Sequence, residues 1–191
     1  MNSLLELYNS KERLKDDNNP FYTDKEFYHN YITEYYGAEF AEKRDTPLNI
    51  LEIGMYRGGS VRLWLEWFNV ANIVGIDNNP SYFLGEITDP RAKTLFEDAY
   101  SIVTVDKFEN EIFDYIVDDG PHSLESQITA VILWAPKLKR GGKFVIEDIR
   151  SVAAAESIRA AVVNMKFSDI RIIDLTSERF WEYNVLLEIT K

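Results

Sequence analysis

Two stretches in the second half of the chain are built alike: an apolar run that stops abruptly on acids. Phe113-Asp114-Tyr115-Ile116-Val117-Asp118-Asp119-Gly120-Pro121-His122 is one, and Gly141-Gly142-Lys143-Phe144-Val145-Ile146-Glu147-Asp148 is the other. Short apolar runs bounded by turn residues read as strands buried on both faces, the kind that parallel sheets use. In open α/β sheets, ligands bind outside the carboxyl ends of the strands. Asp119, His122, Glu147 and Asp148 are therefore expected to look into one shared crevice. Asp119, Glu147 and Asp148 could hold a hard cation, and His122 could move a proton beside it. Such a cluster points to an enzyme.

Strands and helices alternate around these two runs. Strands are expected at 48–53, 72–77, near 93–98, at 113–118 and at 143–147, with helices at 58–68, 123–134 and 151–164. The last two strands, 169–175 and 183–190, are joined by too few residues for a crossover helix, so they should be antiparallel neighbours. The expected fold is a doubly wound α/β sheet with a mixed edge. Before it, Leu4, Leu7 and Leu14 suggest a short amphipathic helix over 3–15, broken at Asp16-Asp17-Asn18-Asn19-Pro20. Thr23-Asp24 can cap a second helix over 24–42. The expected organisation is a helical cover over residues 1–45 and a main domain over 46–191, forming one structural domain.

Composition narrows the function classes. The chain has 191 residues and 46% hydrophobic content, enough for one filled core. Its formal net charge of −11 repels phosphate backbones and anionic lipid, so nucleic acid and membrane are not expected partners. The dense basic run Lys137-Leu138-Lys139-Arg140 reads as a helix-to-strand corner. With no cysteine there are no disulfides, thiolate metal sites or cysteine nucleophiles, which fits a cytoplasmic location. No apolar h-region opens the sequence, and no run approaches the ~18 apolar residues of a membrane helix.

Leu51-Glu52-Ile53-Gly54-Met55-Tyr56-Arg57-Gly58-Gly59-Ser60 joins the first inner strand to its helix. Gly54 permits a tight turn, and Gly58 and Gly59 permit close approach of a ligand to the backbone and the helix N-terminus. Val74-Gly75-Ile76-Asp77 ends on a carboxylate that can accept from both ribose hydroxyls. Asp77 lies 23 residues after Gly54, near the ~20 expected of such a pair. A nicotinamide site prefers Gly-x-Gly-x-x-Gly. Tyr56 stands at the middle glycine position and disfavours it.

Leu51 to Ser60, Gly75-Ile76-Asp77, Asp98-Ala99-Tyr100, Asp118 to His122 and Gly141 to Asp148 together resemble class I S-adenosylmethionine-dependent methyltransferases. More narrowly, with Thr23-Asp24-Lys25, His29 and Tyr31, the chain resembles the metal-dependent sugar O-methyltransferases of the macrocin and mycinamicin type, over roughly residues 22–190. The resemblance implies a Rossmann-like, mostly parallel seven-stranded sheet with an antiparallel terminal pair. It implies S-adenosyl-L-methionine and Mg2+, or another divalent cation, as cofactors. Glu52, Gly54 and Gly58 would line the methionine end, with Tyr56, Ser60 and Asp118 also at the cofactor. Asp77 would hold the ribose, and Asp98 the adenine edge with Ala99 beside it. Asp119, Glu147 and Asp148 would bind the metal, with Asp119 and His122 catalytic and His122 the general base. Pro121 departs from the Ser frequent in these relatives. The larger members also carry an N-terminal domain, which this chain is expected to lack.

The reading is thus a magnesium-assisted O-methyltransferase of a hydroxylated small molecule or glycan, with a sugar-like acceptor favoured and a homo-oligomer possible. A nicotinamide-dependent oxidoreductase and a non-catalytic binding or assembly subunit are the alternatives. Singly, the acidic pairs also read as capping turns and His122 as a solvated residue before a helix. His29, Tyr28, Tyr31, Tyr35 and Tyr36 read as packing residues, and Trp64, Trp67 and Phe68 as core.

Overall fold

In a computed structural model, residues 3–10, 18–176 and 183–191 are described. Seven strands, β1 (Asn49–Ile53), β2 (Asn72–Asp77), β3 (Ala92–Phe96), β4 (Phe113–Asp118), β5 (Leu138–Ile149), β6 (Asp169–Asp174) and β7 (Val185–Thr190), form one sheet. Its order is β3-β2-β1-β4-β5-β7-β6. The first five strands run parallel, and β7 is antiparallel to both β5 and β6. The expected mostly parallel sheet with an antiparallel terminal pair is the sheet observed. Strand order reverses between β1 and β4, the place where such sheets open a crevice.

Helices cover both faces. α1 (Leu4–Ser10), a π-helical turn (Ile32–Tyr36) running into α2 (Gly37–Phe40), and α3 (Gly59–Trp67) lie on one side. α4 (Ile102–Val105), α5 (Leu124–Trp134) and α6 (Val152–Val162) lie on the other. Ser123 caps α5 by accepting from the Ser126 amide, and Ser151 caps α6 by accepting from the Ala154 amide. Among the described residues, no helix is long and apolar enough to cross a membrane.

The N-terminal segment is less helical than expected. Residues 11–15 of the first expected helix lie outside the described residues. The second begins near Tyr31 rather than at residue 24. Asn30 holds a left-handed φ of 57°, which interrupts any helix before it. Glu26 then folds back, its carboxylate accepting from the Thr33 amide at 2.9 Å and the Thr33 hydroxyl at 2.6 Å. Tyr31, Ile32, Tyr35, Tyr36 and Phe40 join Trp64, Trp67 and Phe68 in one core layer.

Alternation along the strands makes the cover-side face of the sheet unusual. Ile50, Val145 and Leu186 point to it, and two residues on from each sit Glu52, Glu147 and Glu188, all nearly inaccessible. Buried carboxylates are costly unless paired and hydrogen-bonded. The N-terminal segment supplies partners for all three. Lys25 and Tyr36 reach Glu147, Lys25 reaches Glu52, and Tyr35 reaches Glu188. The sheet and its cover are thereby locked in register by polar contacts as well as packing.

Candidate active site

At the carboxyl ends of β1, β2 and β4 lies a cavity of about 430 Å³. Its wall includes Gly54, Tyr56, Ser60, Asp77, Asp98, Ala99, Asp119, His122 and Asp148. Gly54 is required where the turns after β1 and β4 touch. It has a φ of 85°, and a side-chain carbon there would lie 2.0 Å from the Asp119 carbonyl oxygen. Asp77 is held by its own turn, accepting from the Tyr56 and Asn79 amides at 2.8 Å each. Asp98 accepts from the Tyr100 amide at 2.9 Å. Both carboxylates are fixed by backbone donors and keep lone pairs for a ligand.

The opposite end of the cavity is acidic. Asp119, His122 and Asp148 each offer a ligand atom, all within 4.8 Å of one another. His122 Nε2 is 3.6 Å from Asp148 Oδ2, and His29 Nδ1 is 3.4 Å from Asp148 Oδ1. The Tyr31 hydroxyl donates to Asp148 Oδ1 at 2.8 Å and accepts from the Asp148 amide at 3.1 Å. His122 and Asp148 have left-handed φ values of 58° and 54°, a strained conformation that clusters at functional sites. A β-bulge explains how Glu147 and Asp148, adjacent on β5, both reach the N-terminal segment. Ile146 and Ile149 pair with Leu187 and Val185, so β5 carries one extra residue there.

Burial governs the electrostatics. It pushes the Asp148 carboxyl up to about 6, against the pull of His122. Asp119 and Glu147 are raised for the same reason, although Lys25 opposes the rise in both. Burial lowers His122, so its imidazole is neutral at neutral pH. Burial alone would lower Lys25, but Asp119, Glu147 and Glu52 together hold its ammonium well above the ordinary range. The residues fit a divalent cation. Two carboxylates and an imidazole converge, and the buried Nδ1 atoms of His122 and His29 lack a hydrogen-bond partner among the described residues.

Five expected site residues stand elsewhere. Glu52 is fully buried, accepting from Trp64 Nε1 at 3.0 Å and facing Lys25 at 3.2 Å, because strand alternation turns it beneath the cover. Gly58 faces protein: a side-chain carbon there would lie 2.6 Å from the Phe83 ring and 2.7 Å from the Arg62 guanidinium. Gly59 is likewise closed over, 1.7 Å from the Tyr22 carbonyl by the same measure. Asp118 turns away from the cavity to accept from the Tyr100 hydroxyl at 2.8 Å, and burial pushes its carboxyl up to about 7. Glu147 has both oxygens engaged, by Lys25 and Tyr36, and His122 rather than Glu147 completes the group of possible ligands. Sequence reasoning missed Lys25. A lysine inside an aromatic segment otherwise read as packing was its available signal.

The methyltransferase domain family matches residues 51–149, more than half of the chain. A Streptomyces olivaceus 8-demethyl-8-(2-methoxy-alpha-L-rhamnosyl)-tetracenomycin-C 3'-O-methyltransferase is 32% identical over 126 residues, covering 62% of this chain and 32% of its own length. The mycinamicin VI 2''-O-methyltransferase of Micromonospora griseorubida is 27% identical over 148 residues, covering 73% and 36%. The fold is similar to that of the MycE methyltransferase from the mycinamycin biosynthetic pathway in complex with Mg, SAH and mycinamycin VI. That likeness has a TM-score of 0.72 at 21% identity over 98% of this chain and 53% of the other. The chain therefore spans about a third of the length of these curated relatives. A glycine turn after β1, acidic ends on the neighbouring strands and a family match running from β1 through β5 lead to one conclusion: this chain belongs to the methyltransferase domain family.

Proposed function

We propose that the chain transfers a methyl group from S-adenosyl-L-methionine to a hydroxyl of a sugar-like small molecule or glycan, assisted by a divalent cation such as Mg2+. The observation that carries this reading is the meeting of Asp119, His122 and Asp148 at one end of the cavity whose other end holds Asp77 and Asp98. The names of the relatives, several of them sugar O-methyltransferases, support the acceptor class. Residues 1–45 serve as a cover and 46–191 as the catalytic domain. A soluble acceptor and a cytoplasmic location belong to the same reading, as does the exclusion of nucleic acid that the net charge favours.

Asp77 would bind the ribose and Asp98 the adenine edge, leaving the sulfonium directed toward the acidic end. Methyl transfer to oxygen is an in-line displacement, so the chain must align the acceptor and remove its proton. A cation held by Asp119 and Asp148 would lower the pKa of a hydroxyl bound to it. His122 takes the acceptor's proton. Its neutral imidazole at neutral pH and its one-third exposed side chain suit that role. A positioned histidine contributes roughly 10²–10⁴ in rate.

The test is methyl transfer from labelled donor to a panel of glycosides, with and without chelator. Transfer that needs both an acceptor hydroxyl and a divalent cation is expected, and His122→Ala should lower it on the order of 10²–10⁴-fold while Mn2+ still binds. Transfer indifferent to chelator would overturn the cation's part. Loss of Mn2+ binding in His122→Ala would make His122 a ligand instead.

A further inference from the structure

The proposed chemistry leaves Lys25 without a task. Its side chain is inaccessible to solvent and its ammonium faces three carboxylates: Glu52 at 3.2 Å, Asp119 at 2.9 Å and Glu147 at 2.5 Å. An ammonium has three hydrogens to donate. The three acids stand at the ends of β1, β4 and β5, consecutive neighbours in the sheet. Lys25 therefore straddles the point where strand order reverses, immediately behind the cavity wall. It takes Oδ2 of Asp119, the acid that also lines the cavity. Glu147 is taken at both oxygens, one by Lys25 and the other by Tyr36.

We infer that Lys25 is a resident cation of the site, a positioning residue that neutralises the inner carboxylates Glu52, Asp119 and Glu147 so that an added divalent ion is confined to the outer groups at Asp119 and Asp148. The inference rests on the proposed cation-assisted reading. Its physical basis is charge balance. Without Lys25, the buried carboxylates of Glu52 and Glu147 and the half-buried one of Asp119 would lack a counter-ion within a hydrogen bond, a costly arrangement that a divalent ion would relieve. Lysine and the divalent ion thus divide one acidic cluster between them, and the N-terminal segment sets the boundary.

The experiment compares wild type, Lys25→Met and the charge-balanced double variant Lys25→Met/Glu147→Gln, as full chains, with Mn2+ as the probe. Mn2+ affinity is read by paramagnetic resonance, and thermal unfolding is followed in chelator and in Mn2+. Wild type should bind Mn2+ and show only the modest rise in unfolding temperature that its own affinity dictates. Lys25→Met should bind Mn2+ at least about tenfold tighter and become strongly dependent on Mn2+ for its folding. The double variant should return toward wild type in both respects. A Lys25→Met chain that loses the same stability in chelator and in Mn2+, with affinity within twofold of wild type, overturns the inference and leaves Lys25 a packing residue. Should Lys25→Met fold in neither condition, the double variant decides: wild-type-like Mn2+ binding upholds the inference, and its absence overturns it. Wild type that binds no Mn2+ is a different failure, which removes the cation from the proposed function itself.

Discussion

The two ends of the cavity are held in opposite ways. At the donor end, Asp77 and Asp98 are fixed by backbone amides, two of them only two residues away and the third at a separation of 21. At the acidic end, Asp119, Glu147 and Asp148 are fixed by side chains of Lys25, Tyr31 and Tyr36, across separations of 94 to 122 residues. One end is a property of individual turns. The other exists only when the cover segment has docked on the finished sheet. Under the proposed function, binding of the donor should therefore survive damage that abolishes the chemistry.

The largest effect should come from Asp148→Asn. It removes a charge that faces His122 and His29, and methyl transfer should fall by at least the 10²–10⁴ expected of a lost catalytic group. Affinity for S-adenosylhomocysteine, measured by calorimetry, should change by no more than about threefold. A comparable loss of both would show that the two ends are one unit. Asp77→Ala should do the reverse, weakening S-adenosylhomocysteine by about 10–100-fold, the worth of a charged hydrogen bond, with transfer at saturating donor largely kept.

Acid should also separate the ends. Burial sets the Asp148 carboxyl at about 6, above its ordinary value, so the group gains a proton as pH falls through that point and loses its hold on a cation. Burial also lowers His122, which favours its neutral form. Transfer at fixed Mn2+ should therefore decline below pH about 6, and raising Mn2+ should move the decline to lower pH. A decline that ignores Mn2+ would assign it to His122 instead.

The smallest effect concerns stability. Burial raises Asp118 to about 7, so the folded state holds a proton that the unfolded chain releases near pH 4. Its contribution favours folding at low pH and is lost as pH rises through about 7. Asp118→Asn keeps an acceptor for the Tyr100 hydroxyl and removes the titration. It should raise the unfolding temperature above pH 7 by a few degrees, with no gain near pH 4. An equal shift at both pH values would refute the assignment.

The same contrast explains what could be read from the sequence. Seven strands, their parallel core and the antiparallel final pair follow from short apolar runs and from a connection too brief for a crossover, both local signals. Gly54, Tyr56, Ser60, Asp77, Asp98 and Ala99 line the cavity because each sits at a strand's carboxyl end or in the segment that follows it. Glu52, Asp118 and Glu147 do not, because burial and distant partners decide where a strand acid points. Gly58 is spent on packing against Phe83 and Arg62. The helix expected at 24–42 failed at Asn30, where a left-handed residue frees Lys25 and His29 to reach across the molecule. Aromatic spacing in that segment gives no hint that its hydroxyls end on carboxylates.

The extra residue in β5 between Ile146 and Ile149 carries a heritable consequence. Strict pleating would send Glu147 and Asp148 to opposite sides, leaving one acid to the cover and none to the rim. Under the proposed function, deleting one residue there should abolish Mn2+ binding and leave S-adenosylhomocysteine binding in place.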